Sequence, residues 1–263
     1  LTVKSELDQY YTKPVVAKYF SDIIKGKFGE SSFIEPSAGM GAFSCNFTDI
    51  KSYDLDPKFE GCEYQDFLKL EENLQGCVVV GNPPFGKCGS LAVKFINKCC
   101  QLNASAVCFI LPKTFKKLKF QNKLNAHLHL EYEEDVEDNA FILEDSEYNV
   151  PCVFQIWVKK ETLRAKFFVG ENKWFKQVDK QMDCDIIVRR VGGRAGMVLS
   201  DDKTYSKSST YFLKSLQQST KQMLVICYEE IKNMASNTAG VRSIGLDELQ
   251  YVLDKKEHMF EFI

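Results

Sequence analysis

The 263-residue chain has no apolar run approaching the roughly 20 residues that a membrane-crossing helix needs. It has no legible secretory signal in its opening LTVKSELDQYYTK, and it begins at Leu1, as a chain whose start has been removed would. Its ten cysteines form no CxxC pair, only Cys99 and Cys100 are adjacent, metal-ligand spacing is absent, and only three histidines are available to help. Reduced thiols in an intracellular protein without a structural metal are therefore expected. There is no GK[ST] after a glycine turn, which excludes a P-loop, and no third glycine to complete GxGxxG. A net charge of −2 and a pI near 6.0 exclude indiscriminate coating of nucleic acid, although not a local basic groove.

What is present is an alternation of short apolar runs with amphipathic stretches over the first 160 residues. PVVAKYFSDIIKG has helical spacing and is expected to close on Gly26; SLAVKFINKCCQL has the same period. SFIEPSAGMGAF, IKSYDLDP, CVVVGNPPF, AVCFILPKTF and VPCVFQIWVKK read as strands, several of them ending at Pro or Gly. Strands alternating with helices predict parallel βαβ units, hence an α/β sheet covered on both faces. From about residue 161 to 263 the pattern changes to short strands joined by Gly, Ser and Asp turns, with helices expected at QMLVICYEEIKNMA and SIGLDELQYVLDKK. That part reads as a small α+β accessory region, expected to contribute to substrate recognition.

Open α/β sheets bind ligands where strands end, near the reversal of strand order. Three turns in succession have that position. In FIEPSAGMGAF, the small residues Ser37 to Gly39 and Gly41 let backbone pass close to a ligand. In YDLDP, Asp54 and Asp56 can accept from both hydroxyls of a ribose, and in the following YQDF Asp66 can accept from an adenine amino group while Phe67 packs on the ring. The third turn, Asn82-Pro83-Pro84-Phe85, is the most specific. Its prolines stiffen the backbone and remove competing N–H donors. The Asn82 amide oxygen and the Pro83 carbonyl can then accept both hydrogens of a planar amine, with Phe85 against the ring that carries it.

In this order, FIEPSAGMGAF, YDLDP, YQDF and VVVGNPPFG resemble the S-adenosylmethionine-dependent amino-methyltransferases with an (Asn/Asp)-Pro-Pro-(Tyr/Phe) motif, which include the adenine-N6 methyltransferases of DNA and RNA. The upstream LDQYYTKPVVAKYF is similar to a segment that walls the cofactor pocket in those enzymes, and the motif order resembles the gamma arrangement of the DNA enzymes. The resemblance covers roughly residues 8 to 160. It implies a class I methyltransferase fold, Rossmann-like and mostly parallel with a final antiparallel strand, and a catalytic domain over residues 1–160 followed by an accessory region over 161–263. The implied cofactor is S-adenosyl-L-methionine, held by Tyr11, Thr12, Glu35, Pro36, Ser37, Gly39, Gly41, Asp54, Asp56, Asp66 and Phe67. Asn82, Pro83, Pro84 and Phe85 are the implied catalytic residues. The implied reaction is methylation of adenine N6 in nucleic acid, DNA ahead of RNA. Methylation of a protein glutamine amide, or a methyltransferase-like subunit that only binds, are the alternatives.

Contacts to a polynucleotide are expected from Lys113, Lys116 and Lys117 in KTFKKLKFQNK, which follows a strand on the same edge as the Asn-Pro-Pro-Phe turn, and from Arg189, Arg190 and Arg194 in RRVGGRAG. The acidic run Glu131 to Glu147 is expected to face away from the polymer or toward a partner protein. No metal is expected.

Overall fold

In a computed structural model, which describes residues 10–143 and 146–260, the chain divides into two compact units, the first ending at Lys166 and the second beginning at Phe167. Residues 7–9 and 144–145, in two of the segments singled out above, lie outside the described residues. The division expected after residue 160 falls six residues later. Residues just past 160 still belong to the first unit: the Arg164 N–H donates to the Ala126 carbonyl at 2.7 Å and its Nε to the Leu128 carbonyl at 2.9 Å.

The first unit contains β1 (Tyr11–Thr12), α1 (Pro14–Phe28), β2 (Phe33–Glu35), β3 (Ile50–Asp54), β4 (Cys62–Tyr64), β5 (Val78–Gly81), α2 (Ser90–Gln101), β6 (Ala106–Pro112), α3 (Leu118–Gln121), β7 (Leu128–Asp135), β8 (Phe141–Leu143), β9 (Ser146–Tyr148) and β10 (Cys152–Lys159). Seven strands form one sheet in the order β4-β3-β2-β5-β6-β10-β7. The first five are parallel, and β10 is antiparallel to both β6 and β7. This is the class I methyltransferase architecture. The chain winds outward from β2 in one direction and from β5 in the other, so the order reverses between these two neighbours and their carboxyl ends open a crevice.

Both faces of the sheet are covered, which is why its central strands read as unbroken apolar runs. Val79, Val107, Phe109 and Leu111 pack with Ala92, Phe95, Ile96 and Cys99 of α2. The alternate residues Val78, Val80, Ala106, Cys108 and Ile110 pack with Val16, Ala17, Phe20 and Ile24 of α1. Helix α1 starts at Pro14, whose fixed φ suits a first turn. It runs past Gly26 and ends on Gly29, which has φ 61° and returns its N–H to the Lys25 carbonyl. Glycine at 26 is tolerated inside the helix because the packed face continues through it.

A second, three-stranded sheet has the order β1-β8-β9. It ties the segment before α1 to a hairpin inserted between β7 and β10: Tyr11 pairs with Ile142, Thr12 with Phe141, and the Lys13 N–H donates to the Ala140 carbonyl at 2.9 Å.

The second unit is a four-stranded antiparallel sheet, β11 (Phe175–Val178), β12 (Ile186–Arg189), β13 (Val198–Leu199) and β14 (Thr210–Ser215), in the order β11-β14-β12-β13. It also has three helices, α4 (Thr220–Ile226), α5 (Tyr228–Ala235) and α6 (Leu246–Phe260). Trp174, Ile186, Val188, Leu213, Leu224, Ile231, Leu249 and Val252 form its core. The single helix expected over QMLVICYEEIKNMA is two: at Cys227 the backbone turns to ψ 6°, and the unclean apolar face resolves into two short ones. Among the described residues no helix is long and apolar enough to cross a membrane, no cluster of His, Cys, Asp or Glu could hold a metal, and all ten cysteines are free.

Candidate active site

A cleft of about 780 Å³, its open mouth included, lies at the reversal point between β2 and β5. Its walls contain Tyr11, Pro36, Ser37, Gly39, Asp54, Asp56, Asp66, Phe67 and the whole Asn82-Pro83-Pro84-Phe85 turn. Four residues not singled out in the sequence complete it: Tyr10, Leu55, Gln65 and Phe95.

The glycine turn is closed by Asp54. One carboxylate oxygen accepts the Gly39 N–H at 2.8 Å and the other accepts the Asp56 N–H at 2.9 Å. An ionised carboxylate has about four lone-pair sites, so two acceptor positions remain for a ligand. Gly39 has φ 53°, and a Cβ there would lie 3.1 Å from the Tyr11 ring. Glycine is thus required both by the backbone and by the ring packed on it. Asp56 is ion-paired with Lys58. Asp66 caps a short 3₁₀ turn by accepting from the Leu68 N–H at 3.1 Å, and it stands 3.4 Å from Lys69 Nζ. Phe67 and Phe95 stack with centroids 5.5 Å apart, giving this end of the cleft an aromatic wall.

At the other end, Asn82 has its amide oriented by the chain itself. Its Nδ2 donates to the Tyr10 carbonyl at 3.2 Å, and its Oδ1 is buried without a hydrogen-bond partner. A buried acceptor without a donor costs about 1–3 kcal/mol, and native sites keep such groups for a reason. Ser37 Oγ donates to the Asn82 carbonyl at 3.4 Å, linking the two turns. The Phe85 carbonyl accepts from Leu91 N–H at 3.0 Å, anchoring the turn on α2. Gly86 permits this, since a Cβ at its φ of 65° would come within 2.7 Å of Leu91. Tyr10 in turn is stacked on Tyr148 of β9, centroids 5.1 Å apart.

Three residues expected at the cofactor are not among those lining the cleft. Successive strand residues face opposite ways, so Tyr11 reaches the cleft and Thr12 points into the interior, where its Oγ1 has no partner. Gly41 lies against the Phe59 ring. Glu35 is buried beneath the turn behind Gly81, and its carboxylate accepts from the Ser44 N–H at 2.9 Å and from Ser44 Oγ. Burial pushes its carboxyl up to about 8 against the opposing pull of those hydrogen bonds, so near neutrality it is a largely protonated structural group.

The basic residues are distributed differently from expectation. Lys113 and Lys116 follow β6 on the cleft edge of the sheet, but both meet Asp135 at 2.8 Å. The acidic run, expected to face away from a polymer or toward a partner protein, instead brings Glu133 and Asp135 beside these lysines. Its first part, Glu131–Asp135, lies in β7, which runs in the direction of β6 with only β10 between, so the carboxylates that end β7 arrive there. Lys117 caps the turn before α3 through its backbone and is not part of the cleft. In the second unit, Arg189 donates to the Val191 carbonyl and to Ser209 Oγ, and Arg190 lies 5.5 Å from the Tyr211 ring centroid. These two arginines hold their own turn together; Arg194 is exposed.

This donor and acceptor set fits S-adenosylmethionine, the cofactor of the class I methyltransferase fold. A glycine turn and a tethered carboxylate stand at one wall, an aromatic and amide-accepting pocket beside them, and an Asn-Pro-Pro-Phe acceptor turn at the far wall.

No curated protein matches the chain in sequence. Solved structures that it resembles include a Pyrococcus horikoshii protein described as a candidate RNA methyltransferase, at 16% identity and a TM-score of 0.47 over 60% of this chain and 90% of that one. A Burkholderia thailandensis 1,6-didemethyltoxoflavin-N1-methyltransferase with bound S-adenosylhomocysteine aligns at 8% identity and a TM-score of 0.43, over 57% and 80% of the two chains. The M. jannaschii tRNA m1G37 methyltransferase aligns at 16% identity and a TM-score of 0.39, over 58% and 50% of the two chains. The model of the EDM2 methyltransferase-like domain matches residues 36–170, just over half of the chain and including every cleft-lining residue except Tyr10 and Tyr11. The chain therefore belongs to the family of the EDM2 methyltransferase-like domain.

Proposed function

We propose that this methyltransferase-class protein transfers a methyl group from S-adenosylmethionine to the exocyclic N6 of adenine in a polynucleotide, DNA ahead of RNA. The observation that carries the reading is the amide of Asn82. Its nitrogen is committed to the Tyr10 carbonyl, and its buried oxygen is left without a donor at the wall of the cleft. An aryl amine supplies the missing hydrogen. Because Pro83 and Pro84 have no N–H, nothing local competes with that amine for the Asn82 oxygen and the Pro83 carbonyl.

Bound cofactor supplies a methyl group already activated on a sulfonium. Gly39, Asp54 and Tyr11 would hold it at the β2 and β3 ends, where Asp54 has two remaining acceptor positions suited to ribose hydroxyls. Asp66, Phe67, Phe95 and Gln65 enclose its adenine. The target amine is a poor nucleophile because its lone pair is delocalised into the ring. Two acceptors fixed on its hydrogens favour a pyramidal nitrogen and localise that lone pair, and Phe85 holds the ring plane. Formation of the nitrogen–carbon bond as the sulfur–carbon bond breaks would leave S-adenosylhomocysteine, and the proton lost from nitrogen would pass to solvent. Fixing the two reactants in line can contribute on the order of 7 kcal/mol or more. Acceptors aimed at a nitrogen that becomes positive add to this. An adenine in a duplex must first be unstacked, at a cost of a few kcal/mol.

The preference for DNA rests on the order of the motifs and on the presence of a separate second unit after the catalytic one. The test is incubation with methyl-labelled cofactor and separate pools of DNA, RNA and protein, then digestion to single nucleosides or amino acids. N6-methyladenine in DNA is expected. Label in RNA adenine moves the polymer assignment, label on glutamine replaces the substrate class, and no transfer to any pool refutes the activity.

A further inference from the structure

We propose that Lys113 and Lys116 form a two-ammonium clamp for a backbone phosphate of the polynucleotide, and that in the free protein Asp135 occupies this clamp in place of the phosphate. The ligand class rests on the nucleic-acid reading above. The two lysines are the ends of one 3₁₀ turn, Lys113–Lys116, directly after β6. Each ammonium meets a different oxygen of one carboxylate: Lys113 Nζ lies 2.8 Å from Asp135 Oδ2, and Lys116 Nζ lies 2.8 Å from Asp135 Oδ1. Two donors set apart by the width of a carboxylate also fit the two non-bridging oxygens of a phosphodiester, which has the same single charge.

Burial differs across the pair. The lysine side chains are only 25% and 23% exposed, so their geometry is largely fixed, whereas Asp135 is 48% exposed and ends the sheet's edge strand β7. The carboxylate is the partner free to leave. Glu133 Oε1 lies 3.7 Å from Lys116 Nζ, and its other oxygen accepts from Gln155 Nε2 at 2.7 Å, so this second carboxylate stays and steadies Lys116 when Asp135 departs.

The location suits a phosphate near the target base. Strands β5 and β6 are parallel with Gly81 opposite Phe109. Asn82 follows Gly81 directly, while Lys113 is four residues past Phe109. The clamp is therefore offset three residues, about 10 Å along the strand direction, and one strand sideways from the amide. A nucleotide whose base sits against Phe85 would reach the clamp with its own phosphate or that of its neighbour.

The proposal predicts that removing an anionic group strengthens binding only where that group fills the clamp. Fluorescence anisotropy of a labelled oligothymidylate, which contains no adenine, measures this across a salt series. Asp135→Asn is expected to tighten binding about tenfold at low salt. The gain should vanish in Lys113→Ala/Lys116→Ala/Asp135→Asn, and the double lysine variant, which loses one clamped phosphate, should lower the slope of log K against log salt by about 0.7. Glu137→Gln, which removes a neighbouring exposed carboxylate, serves as the charge control. The proposal is overturned if Asp135→Asn binds no tighter, if neither it nor the unaltered protein binds, if the triple variant keeps the gain, or if Glu137→Gln reproduces it. Because the probe has no methyl acceptor, failure of the adenine assignment leaves these results unaffected, and failure of the clamp leaves the methylation assay unaffected.

Discussion

Replacing Asn82 by alanine should separate activity from stability. The side chain makes one hydrogen bond within the protein, Nδ2 to the Tyr10 carbonyl at 3.2 Å, and has one buried unsatisfied oxygen. Deleting it loses a neutral hydrogen bond, typically about 1 kcal/mol, and also relieves an orphaned acceptor costing a similar amount. The melting temperature is therefore expected to stay within a few degrees of the parent. Chemistry is different. The acceptor is preorganised in a secluded site, and removing one such group from a transition state costs roughly 3–4 kcal/mol. At 1.36 kcal/mol per decade that is a fall of about 10²–10³ in the methyl-transfer rate. Single-turnover transfer from labelled cofactor measures the rate, calorimetric titration with S-adenosylhomocysteine measures cofactor affinity, and thermal unfolding measures stability. Cofactor affinity should change by less than about threefold, because the contacts proposed for the cofactor lie at Gly39, Asp54 and the Phe67–Phe95 wall. A rate within tenfold of the parent would refute the role given to the amide. A loss of cofactor affinity as large as the loss of rate would assign Asn82 to the cofactor instead.

Two further outcomes follow from the same geometry. Tyr148→Ala removes the ring stacked on Tyr10 and should lower the transfer rate about tenfold with a smaller change in substrate KM, while Tyr148→Phe, which keeps the stack, restores it; equal rates in the two variants would deny the hairpin a positioning role. Glu35, lifted by burial to about 8 from an ordinary value near 4.3, binds its proton in the folded protein and not in the unfolded one between those limits. Stability should accordingly fall as pH rises through that window and level off above it, and thermal unfolding of Glu35→Gln from pH 5 to 9 should show a shallower fall than the parent.

The parts legible in the sequence are those whose cause is local. Val78–Val80 and Ala106–Leu111 announce buried strands because both faces are covered, and Asn82 to Phe85 announces its turn because proline fixes the backbone wherever it stands. Asp54 is legible as a strand-end acid, although its two bonds to the Gly39 and Asp56 N–H groups are not. What was hidden depends on partners distant in sequence. Phe95 looks like one more apolar residue on α2 until Phe67 stacks on it. Tyr10 contributes a backbone carbonyl, which no side-chain pattern reports. The segment His129 to Asp135 is dominated by its charge, yet it alternates faces as a strand; only sheet pairing places Asp135 between Lys113 and Lys116. Glu35 ends a strand before a glycine turn, where an acid is equally suited to a ligand or to the interior, and its burial under Gly81 decides for the interior.

The small sheet β1-β8-β9 has a consequence for how the protein matures. The segment that orients Asn82 and covers Gly39 is the first described part of the chain, and the hairpin that holds it comes from near the end of the first unit: Lys13 and Glu147, joined across it, are 134 positions apart. Contacts of such high sequence separation form late, because the intervening loop must close first. A nascent chain that has emerged only through β6 can already possess the parallel core and the Asn-Pro-Pro-Phe turn. It still lacks the partner for its Tyr11 strand, and competence to bind and transfer should appear as a late event in folding, after β10 has inserted between β6 and β7.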